Sequence, residues 1–487
     1  MNLAYIKPLL NKKSLGMALF GFSAGLPLLL IFSTLSVWLV NAGVERSTIT
    51  LFSWAGFAYS FKFLWTPIVD HCRLPYLSKL GHRKSWLLFS QLMIILSILF
   101  TSYTDPAQNL FYTAFGIVLI AFSSATQDIV IDAFRIESET IKKQGALSSM
   151  YLAGYRIAMI VSGAGSLWLA THFGADTYNV NTWKKVYQIM ACFMLVGILA
   201  TLISQEPFIT KKNKTTSQLS FVFILILSII IFFCVYNFLP QFFYAESNLL
   251  NSLDEMLRII ISFISCIATL VFFSKINFIS IHSAKLAYID PLRDFFQRYK
   301  KVAILILMLI GLYRIADIVM GVMANVFYLE KGYKIEEIAT YSKFFGLFAT
   351  ILGGFLGGLY SVHRGVIQSL LIGAVIAALS NVLFAWLAIS DISILFLIVV
   401  ISIDNIASGF AGAAFIVYLS SLTSVKFTAT QYALFSSLML FLPKLIAGYA
   451  GGIVNAIGYP SFFIFTAILG VPVLFLVYLI KDIPIKK

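Results

Sequence analysis

Apolar runs of about 20 residues recur from Leu15 almost to the end of this chain, and they constrain its fold more than any other feature. A run of that length, coiled as an α-helix, crosses a hydrocarbon core of ~30 Å. Because 60% of the residues are hydrophobic and only 11% are charged, a water-soluble globule is excluded. The sequence therefore predicts a polytopic membrane protein whose first run, preceded by Lys12 and Lys13, is a retained helix rather than a signal peptide.

The runs, separated by Gly, Pro and charged residues, form two groups of six with an extra pair between them. The first group lies near 15–40, 48–69, 84–103, 108–134, 145–171 and 184–204. The extra pair lies near 219–239 and 253–273. The second group lies near 302–327, 337–360, 366–389, 393–421, 430–454 and 461–481. We predict an all-α protein of about 14 transmembrane helices, with an N-terminal half at 1–204, a linker with two helices at 205–301 and a C-terminal half at 302–487.

An internal repeat relates the two halves. The sequence QGALSSM at 144–150 is similar to QYALFSS at 431–437, and each is followed by one basic residue, Arg156 or Lys444. Two six-helix halves related in this way resemble the architecture of major-facilitator transporters, which bind substrate at the midplane between the halves. Chance similarity between two apolar helices is the alternative.

The formal charge of +14 predicts orientation rather than a nucleic-acid partner, because the basic residues form no dense patch interleaved with aromatics. They collect in alternate loops, and Lys and Arg favour the cytoplasmic side, so both termini are predicted to be cytoplasmic. The four cysteines have no metal-ligand spacing and are predicted to be free thiols.

Charged residues at the predicted cytoplasmic helix ends suggest a gate. An ion-pair latch there would close this side and separate when the halves rock apart, whereas ordinary positive-inside loops are the alternative. The candidate gate residues are Lys62, Asp70, Arg83, Lys84, Arg135 and Arg364.

Charges in the middle of spans are costly in lipid and are candidate functional residues. Arg314 and Asp317, three residues apart, either neutralise each other or contact the substrate. Arg156 and Lys444 have no acidic partner at helical spacing, so they either offer hydrogen bonds to an anionic substrate or pair with acids of neighbouring helices. The candidate substrate-binding residues are Arg156, Lys444, Arg314, Gln127 and Tyr155.

Asp128, Asp132 and Arg135 lie at i, i+4 and i+7, on one face of the fourth span. Two carboxylates one turn apart in a poorly solvated site are typical of a proton carrier, because each favours protonation of the other. Neutralisation by Arg135, or by Lys62 from the second span, is the alternative. The candidate proton-coupling residues are Asp128, Asp132, Asp317 and Asp404.

Enzymatic function is not predicted. The sequence has neither a Gly-x-x-x-x-Gly-Lys-Ser/Thr phosphate loop nor a His-Glu-x-x-His zinc motif. We therefore expect no ATP hydrolysis, no metal and no cofactor, and the energy is predicted to come from an ion gradient.

Six motifs carry a resemblance to a known family: GFSAGLP at 21–27, FKFLWTP at 61–67, GHRKSW at 81–86, SATQDIVIDAFR at 124–135, YRIAD at 313–317 and DNIASG at 404–409. With these motifs the chain resembles, over nearly its whole length, the AmpG-like muropeptide permeases of the major facilitator superfamily. The extra helix pair is also similar to this family. His82 and Phe134 depart from it, at positions where the family tends to have Arg and Tyr.

The resemblance implies proton-coupled import of N-acetylglucosaminyl-anhydro-N-acetylmuramyl peptides from periplasm to cytoplasm, for cell-wall recycling. It implies an anionic glycopeptide substrate, a proton gradient in place of a cofactor, and a monomer surrounded by lipid in the bacterial inner membrane. Transport of another anionic conjugate such as acetyl-CoA is one alternative. A membrane sensor that binds a wall fragment without moving it is the other.

Overall fold

The computed structural model describes residues 12–74, 77–138, 141–175, 177–207, 218–241, 290–424 and 428–481, with separate positions between 254 and 272. The regular elements in this part are helices, as predicted. Ten segments of it are long and apolar enough to cross a membrane, and the shorter Leu434–Ala447 is also apolar. The total of about fourteen spans is therefore approximate.

The first group of helices consists of α1 (Lys12–Ile31 and Ser33–Asn41), α2 (short segments from Arg46–Leu51 to Thr66–His71), α3 (His82–Ser102), α4 (Leu110–Ser138), α5 (Ile141–Ile160, Val161–Gly165 and Ser166–His172) and α6 (Val180–Ile203). Between the groups lie α7 (Gln218–Phe238) and α8 (Asp290–Tyr299). The second group consists of α9 (Val302–Leu312 and Ile315–Lys331), α10 (Ile335–Glu337, Ile338–Phe345 and Gly346–Arg364), α11 (Val366–Ile389), α12 (Ile394–Leu422), α13 (Thr428–Ala447) and α14 (Ala450–Ile468 and Val471–Ile480).

Small residues set the closest helix crossings, as is usual where lipid supplies no hydrophobic driving force between helices. A Cβ added at Gly21 of α1 would lie 1.9 Å from the carbonyl oxygen of Tyr151 on α5. A Cβ at Gly353 of α10 would lie 2.1 Å from the carbonyl oxygen of Ile406 on α12. Within its own half, α5 packs on α1 and α13 packs on α9, so the two helices of the predicted repeat occupy equivalent places.

Several helices are irregular in the middle of their spans. Helix α1 breaks at Phe32, α9 breaks at Tyr313 and Arg314, and α2 is divided into short α-helical and 3-10 segments. Helices α5 and α10 each contain a π-helical segment, and these two segments pack against each other. Irregular backbone at membrane depth is tolerated where protein buries it or where it lines a cavity, and π-turns are frequent at functional sites.

Helix α14 is interrupted at Gly458, whose φ is +76°, close to Pro460. This break lies between the predicted spans that end near 454 and begin near 461, so the boundary prediction agrees with the local backbone. Helix α7, the first of the predicted extra pair, packs on the last segment of α2. Most of the second lies outside the described residues, although Arg258 there donates to the carbonyl oxygen of Tyr236. The domain boundaries at 204 and 301 stay predictions.

The two ends of the bundle differ in how the halves meet. Hydrogen bonds between described residues of opposite halves lie at or just below the end that carries Arg46, which we call the Arg46 end. One of them joins Thr50 of α2 to the carbonyl oxygen of Gly448, at 2.9 Å. The opposite end carries Arg83 and Glu206, and we call it the Arg83 end. The described contacts therefore hold the halves together at the Arg46 end.

Candidate functional site

Basic side chains without a carboxylate partner lie in the region where the two halves meet. Arg156 of α5 is half-buried, and its polar contact is the sulfur of Met159 at 3.8 Å. Lys444 of α13 is also half-buried, and its Nζ lies 3.9 Å from the ring centre of Phe32 on α1. Among the described residues neither cation forms an ion pair, and the two do not contact each other. Their predicted role in substrate binding stays a prediction.

The structure adds a third cation of this kind, Lys343, which the sequence interpretation missed. It lies in the π-helical segment of α10, and its Nζ donates to Oδ1 of Asn325 at 2.6 Å. Asn325 in turn donates to Ser36 of α1 at 2.9 Å. A lysine within an otherwise apolar span was a signal for this residue, but its place near the start of the span concealed it.

In the C-terminal half, Arg314 and Asp317 pair with each other. Arg314 stands at the break in α9 and donates through Nε and Nη2 to one oxygen of Asp317. Asp317 lies in the first turn of the following helix segment, where the helix dipole favours a negative charge. Ser408 of α12 donates to the same oxygen at 3.2 Å. The sequence left open whether Arg314 and Asp317 neutralise each other or contact the substrate, and in this structure they form an ion pair with each other.

Asp404 is a second carboxylate beside this pair. Its Oδ1 accepts from Ser380 of α11 at 3.0 Å, and Arg314 is the cation whose charge acts on it. No ion pair of Asp404 is present within the described part of the chain. Asp317 is therefore in contact with Arg314, and Asp404 lies near this pair without forming an ion pair, in a cluster between α9, α11 and α12.

In the N-terminal half, Asp128 lies in a polar cluster between α2 and α4. Its Oδ1 is buried and has no hydrogen-bond partner among the described residues, and Tyr59 and Ser124 lie in the same cluster. Lys62 of α2 and Asp132 are the charged groups that act on Asp128. Since buried polar atoms normally have partners, such a cluster suits a proton, a water molecule or a ligand group.

Asp132 has a different environment, because Arg135 donates to it at 3.0 Å and its side chain is 48% exposed. The guanidinium of Arg135 also lies 5.7 Å from the ring centre of Tyr151. The structure therefore neutralises Asp132 and leaves Asp128 without that partner, although both lie on the same helix face.

Gln127 and Tyr155, two of the predicted substrate-binding residues, lie in different environments. Gln127 is fully buried and accepts a hydrogen bond from Ser23 of α1 at 2.8 Å, which puts it inside the N-terminal half. Its Nε2 has no hydrogen-bond partner among the described residues. Tyr155 is half-buried, and its ring centre lies 6.0 Å from that of Tyr151. Its hydroxyl lies close enough to Asp128 for the two groups to interact electrostatically. Tyr155 is thus brought to the Asp128 cluster, whereas Gln127 lies behind it.

The predicted gate residues Arg83 and Lys84 bind within their own half. Arg83 forms a bidentate ion pair with Glu137 of α4, at 2.7 and 3.0 Å. The carboxylate of Glu206, after α6, accepts from the backbone amides of Arg83 and Lys84 at 2.7 and 3.0 Å. These contacts join α3, α4 and α6 to one another. Glu137 and Glu206 were missed, because their partners are distant in sequence.

The remaining gate candidates form no contact between the halves in the described residues. Arg364 is exposed at the end of α10, and Lys62 faces the Asp128 cluster. The side chain of Asp70 lies outside the described residues. The ion pair that does join the halves, Arg46 with Glu330 at 2.8 Å, lies at the Arg46 end and was not predicted.

No group of three or more His, Cys, Asp or Glu residues in the described ranges is placed to hold a metal ion. Cys72, Cys192 and Cys234 form no disulfide, and Cys266 lies outside those ranges.

Comparison with known proteins identifies relatives over almost the full chain. The family model of the Major Facilitator Superfamily matches residues 14–448. The protein named "Putative transporter AmpG 4" of Rickettsia felis is 33% identical over 465 residues, covering 95% of each chain. The "Anhydromuropeptide permease" of Escherichia coli is 29% identical, covering 99% of this chain and 82% of the relative.

Solved structures of similar fold are transporters of low sequence identity. A POT family transporter in complex with 5-aminolevulinic acid has a TM-score of 0.64 and 14% identity, covering 96% of this chain and 95% of the other. A bacterial homologue of the human lysosomal transporter Spinster has a TM-score of 0.62 and 12% identity, covering 97% and 96%. At this identity the likeness concerns the fold alone.

Proposed function

Because this chain is a membrane transporter that belongs to the AmpG-like family of the major facilitator superfamily, we propose that it imports peptidoglycan-derived muropeptides by proton-coupled symport. The cargo would be N-acetylglucosaminyl-anhydro-N-acetylmuramyl peptides, taken from periplasm to cytoplasm across the bacterial inner membrane. The protein would work as a monomer with both termini cytoplasmic, and a proton gradient would replace any cofactor. A relative named as an anhydromuropeptide permease supports this cargo.

The observation that carries the proposal is the set of half-buried cations without carboxylate partners. Arg156, Lys343 and Lys444 come from three helices of both halves, and Lys444 contacts α1 of the other half directly while Lys343 is linked to it through Asn325. A buried charge without a partner is costly, so an anionic ligand that enters between the halves would be stabilised by them. Muropeptides carry carboxylates and sugar rings, and aromatic side chains such as Phe32 suit the sugar faces.

Proton coupling is supported by carboxylates that lack a full counter-charge, one in the Asp128 cluster and one in the cluster around Arg314. In the described part of the C-terminal half, Asp317 and Asp404 lie near one cation, Arg314, which pairs with Asp317. In the N-terminal half, one oxygen of Asp128 has no hydrogen-bond donor among the described residues. A carboxylate that lacks a full counter-charge in a poorly solvated place takes up a proton readily and releases it when its surroundings change.

Alternating access is supported by the contacts at the two ends. Described hydrogen bonds join the halves at the Arg46 end, whereas the described ion pairs of Arg83 and Arg298 stay inside one half. With Lys- and Arg-rich loops on the cytoplasmic side, the Arg83 end is the cytoplasmic one. This conformation is then closed to the periplasm, as required for release into the cytoplasm.

The test is uptake of labelled N-acetylglucosaminyl-anhydro-N-acetylmuramyl tripeptide by cells that lack their own permease and express this chain. We expect accumulation that an uncoupler abolishes, and that Asp391→Asn, a change in an exposed loop, leaves intact. Absence of uptake, with the protein shown to be folded in the membrane, would contradict the cargo. Uptake that the uncoupler leaves unchanged would contradict the proton coupling.

A further inference from the structure

Two lysines of the other half are linked to the break in α1, Lys444 by direct contact with Phe32 and Lys343 through Asn325. The first segment of the helix ends at Ile31, Phe32 has φ −111° and ψ −76°, and the second segment begins at Ser33. Phe32 and Ser33 are half-buried, so this irregular turn is partly accessible.

Lys444 reaches the break from α13. Its Nζ lies 3.9 Å from the ring centre of Phe32, and a Cβ added at Gly56 of α2 would lie only 3.1 Å from its Cε. The side chain therefore crosses from the C-terminal half into the N-terminal half along Gly56. Among the described residues its ammonium group has neither a carboxylate nor a hydrogen-bond acceptor, so all three N–H donors are available.

Lys343 approaches the same segment of α1 from α10. Its ammonium group donates to Asn325 at 2.6 Å, and Asn325 donates to Ser36 at 2.9 Å and to the carbonyl oxygen of Ser33 at 3.2 Å. The stem of Lys343 passes Gly163 of the π-helical segment of α5, with its Cβ 3.6 Å from a Cβ added there. No carboxylate in the described part of the chain pairs with Lys343.

Five arginines of the described chain differ from Lys343 and Lys444 in having a carboxylate partner, whereas Arg156 resembles the lysines in lacking one. Each of five arginines has a carboxylate within 3.0 Å: Arg46, Arg83, Arg135, Arg298 and Arg314. Lys343 and Lys444 are held in the region between the halves without such a partner. Lys343 uses one of its donors on Asn325, whereas Lys444 uses none within the described residues, and both lysines are half-buried. This favours a ligand that brings both acceptors and negative charge.

We propose that Lys343 and Lys444 form a paired ammonium site at the Phe32 break, which binds acidic groups of the transported substrate. This inference rests on the proposed function, which it deepens by assigning Lys343 and by naming the groups recognised. Because both lysines belong to the C-terminal half and the break belongs to the N-terminal half, an anion bound here contacts both halves. Carboxylates and phosphates share the required chemistry, and the experiment distinguishes them.

The experiment measures ligand binding by the full chain in lipid nanodiscs. One probe is N-acetylglucosaminyl-anhydro-N-acetylmuramyl tripeptide, and the second is the same disaccharide without its peptide, which carries fewer carboxylates. Lys343→Met and Lys444→Met are each expected to raise the Kd of the first probe by about tenfold or more. This is the effect of losing one charge-assisted hydrogen bond to the ligand. The Kd of the second probe should change much less.

Two further variants separate charge from packing. Lys343→Arg keeps the charge and is expected to recover most of the affinity that Lys343→Met loses. Lys185→Met removes an exposed lysine of α6 at the Arg46 end and should bind both probes as the wild type does. Each variant is first shown to elute as a single folded species, and the arginine variant remains informative if a methionine variant does not fold.

The outcomes distinguish this inference from the proposed function. If the wild type binds the tripeptide probe and Lys343→Met binds it equally well, the paired site is wrong and the proposed cargo stands. If the wild type binds neither wall fragment but binds acetyl-CoA, and both methionine variants lose that binding, the site stands with a phosphate-bearing cargo. If no anionic probe depends on either lysine, the inference is overturned.

Discussion

Arg46 of α2 and Glu330 of α9 belong to opposite halves and form an ion pair of 2.8 Å. Tyr459 of α14 donates to the second carboxylate oxygen at 2.8 Å, and the guanidinium of Arg46 lies 5.2 Å from its ring centre. One carboxylate therefore joins three helices at the Arg46 end. The halves cannot separate there unless this pair breaks.

Glu330→Gln is expected to favour the conformation that is open at the Arg46 end. The pair is partly exposed, with 36% and 28% of the two side chains accessible, so its contribution is that of a surface ion pair, about 0.2–1 kcal/mol. The population of the open conformation should rise by up to about fivefold. The measurement is the labelling rate of Ser33→Cys by an impermeant maleimide, with the native cysteines replaced.

The matched control is Glu336→Gln, which removes an exposed carboxylate of α10 at the same end. It should leave the labelling rate unchanged. Equal rates for Glu330→Gln and Glu336→Gln would show that the Arg46 ion pair does not hold the Arg46 end closed.

Gly81 and Gly365 offer a comparison at the opposite end. Each precedes a helix in backbone conformations that only glycine adopts readily, with φ and ψ of 118° and 160° at Gly81 and 88° and 160° at Gly365. A Cβ at Gly81 would lie 2.4 Å from the carboxylate of Glu206, whereas a Cβ at Gly365 meets nothing within 4 Å. An alanine would therefore be strained in its backbone at both positions, but only at position 81 would it also push away the carboxylate of Glu206.

Gly81→Ala should therefore destabilise the protein more than Gly365→Ala. Both lose about 1–3 kcal/mol to backbone strain, and only the first also displaces the Glu206 carboxylate from the amides of Arg83 and Lys84. Hydrogen bonds to a charged group contribute about 1.5–3 kcal/mol each, so the difference should be at least ~1.5 kcal/mol. Thermal unfolding of the purified variants measures it, and equal midpoints would contradict the prediction.

The fold was predictable because its strongest signal is local. Twenty apolar residues have to become a membrane helix wherever they lie in the chain, and the break near Gly458 was indicated by Gly and Pro alone. The choice of partners was local only in part. The pair of Arg135 with Asp132 follows from their i, i+3 spacing. The pair of Arg83 with Glu137, however, joins two different helices and depends on how α3 packs on α4.

The missed residues have a common cause. Glu137 and Glu206 bind Arg83 from positions far away in the sequence, and the Arg46 ion pair joins residues that are 284 positions apart. Asn325 carries no charge, so it did not stand out among the charged residues from which the candidates were chosen. Such contacts depend on how helices pack, which periodicity and length do not specify.

Asp294 on α8 gives a prediction about pH. Burial alone would raise the pKa of this carboxyl, but hydrogen bonds from Gln431 and Arg298 and the charge of Arg298 lower it below its ordinary value. A lowered pKa stabilises the folded arrangement above the ordinary value of ~3.9, and this contribution is lost as the pH falls through the lowered pKa. The attachment of α8 to α13 should therefore weaken below about pH 4.

A nitroxide attached at Leu292→Cys, an exposed position of α8, reports this change as increased mobility on acidification from pH 6 to pH 3. Asp294→Asn should be mobile already at pH 6 and should show little further change. Asp290→Asn, on the same helix, should behave as the wild type. A wild-type spectrum that is constant over this range would contradict the assigned role of Asp294.

The two carboxylates near Arg314 make the strongest prediction about energy coupling. Arg314 is engaged by Asp317 through two of its nitrogens, while within the described residues Asp404 accepts one hydrogen bond, from the hydroxyl of Ser380. When Asp404 is ionised, the cluster carries one negative charge in excess, and protonation of Asp404 removes that excess without breaking the Arg314 pair. Asp404 is thus the carboxylate of this cluster that can exchange a proton at least structural cost.

Asp404→Asn should therefore uncouple transport while leaving the binding site usable. The amide can still accept from Ser380 and carries no charge, so it imitates the protonated state permanently. In proteoliposomes, uptake driven by a pH gradient should fall to the level found with an uncoupler, whereas exchange of internal for external substrate should persist. Asp391→Asn, in an exposed loop, should retain both activities. Gradient-driven uptake by Asp404→Asn at the wild-type rate would exclude this carboxylate as the proton carrier and leave Asp128, with its unpartnered oxygen, as the next to test.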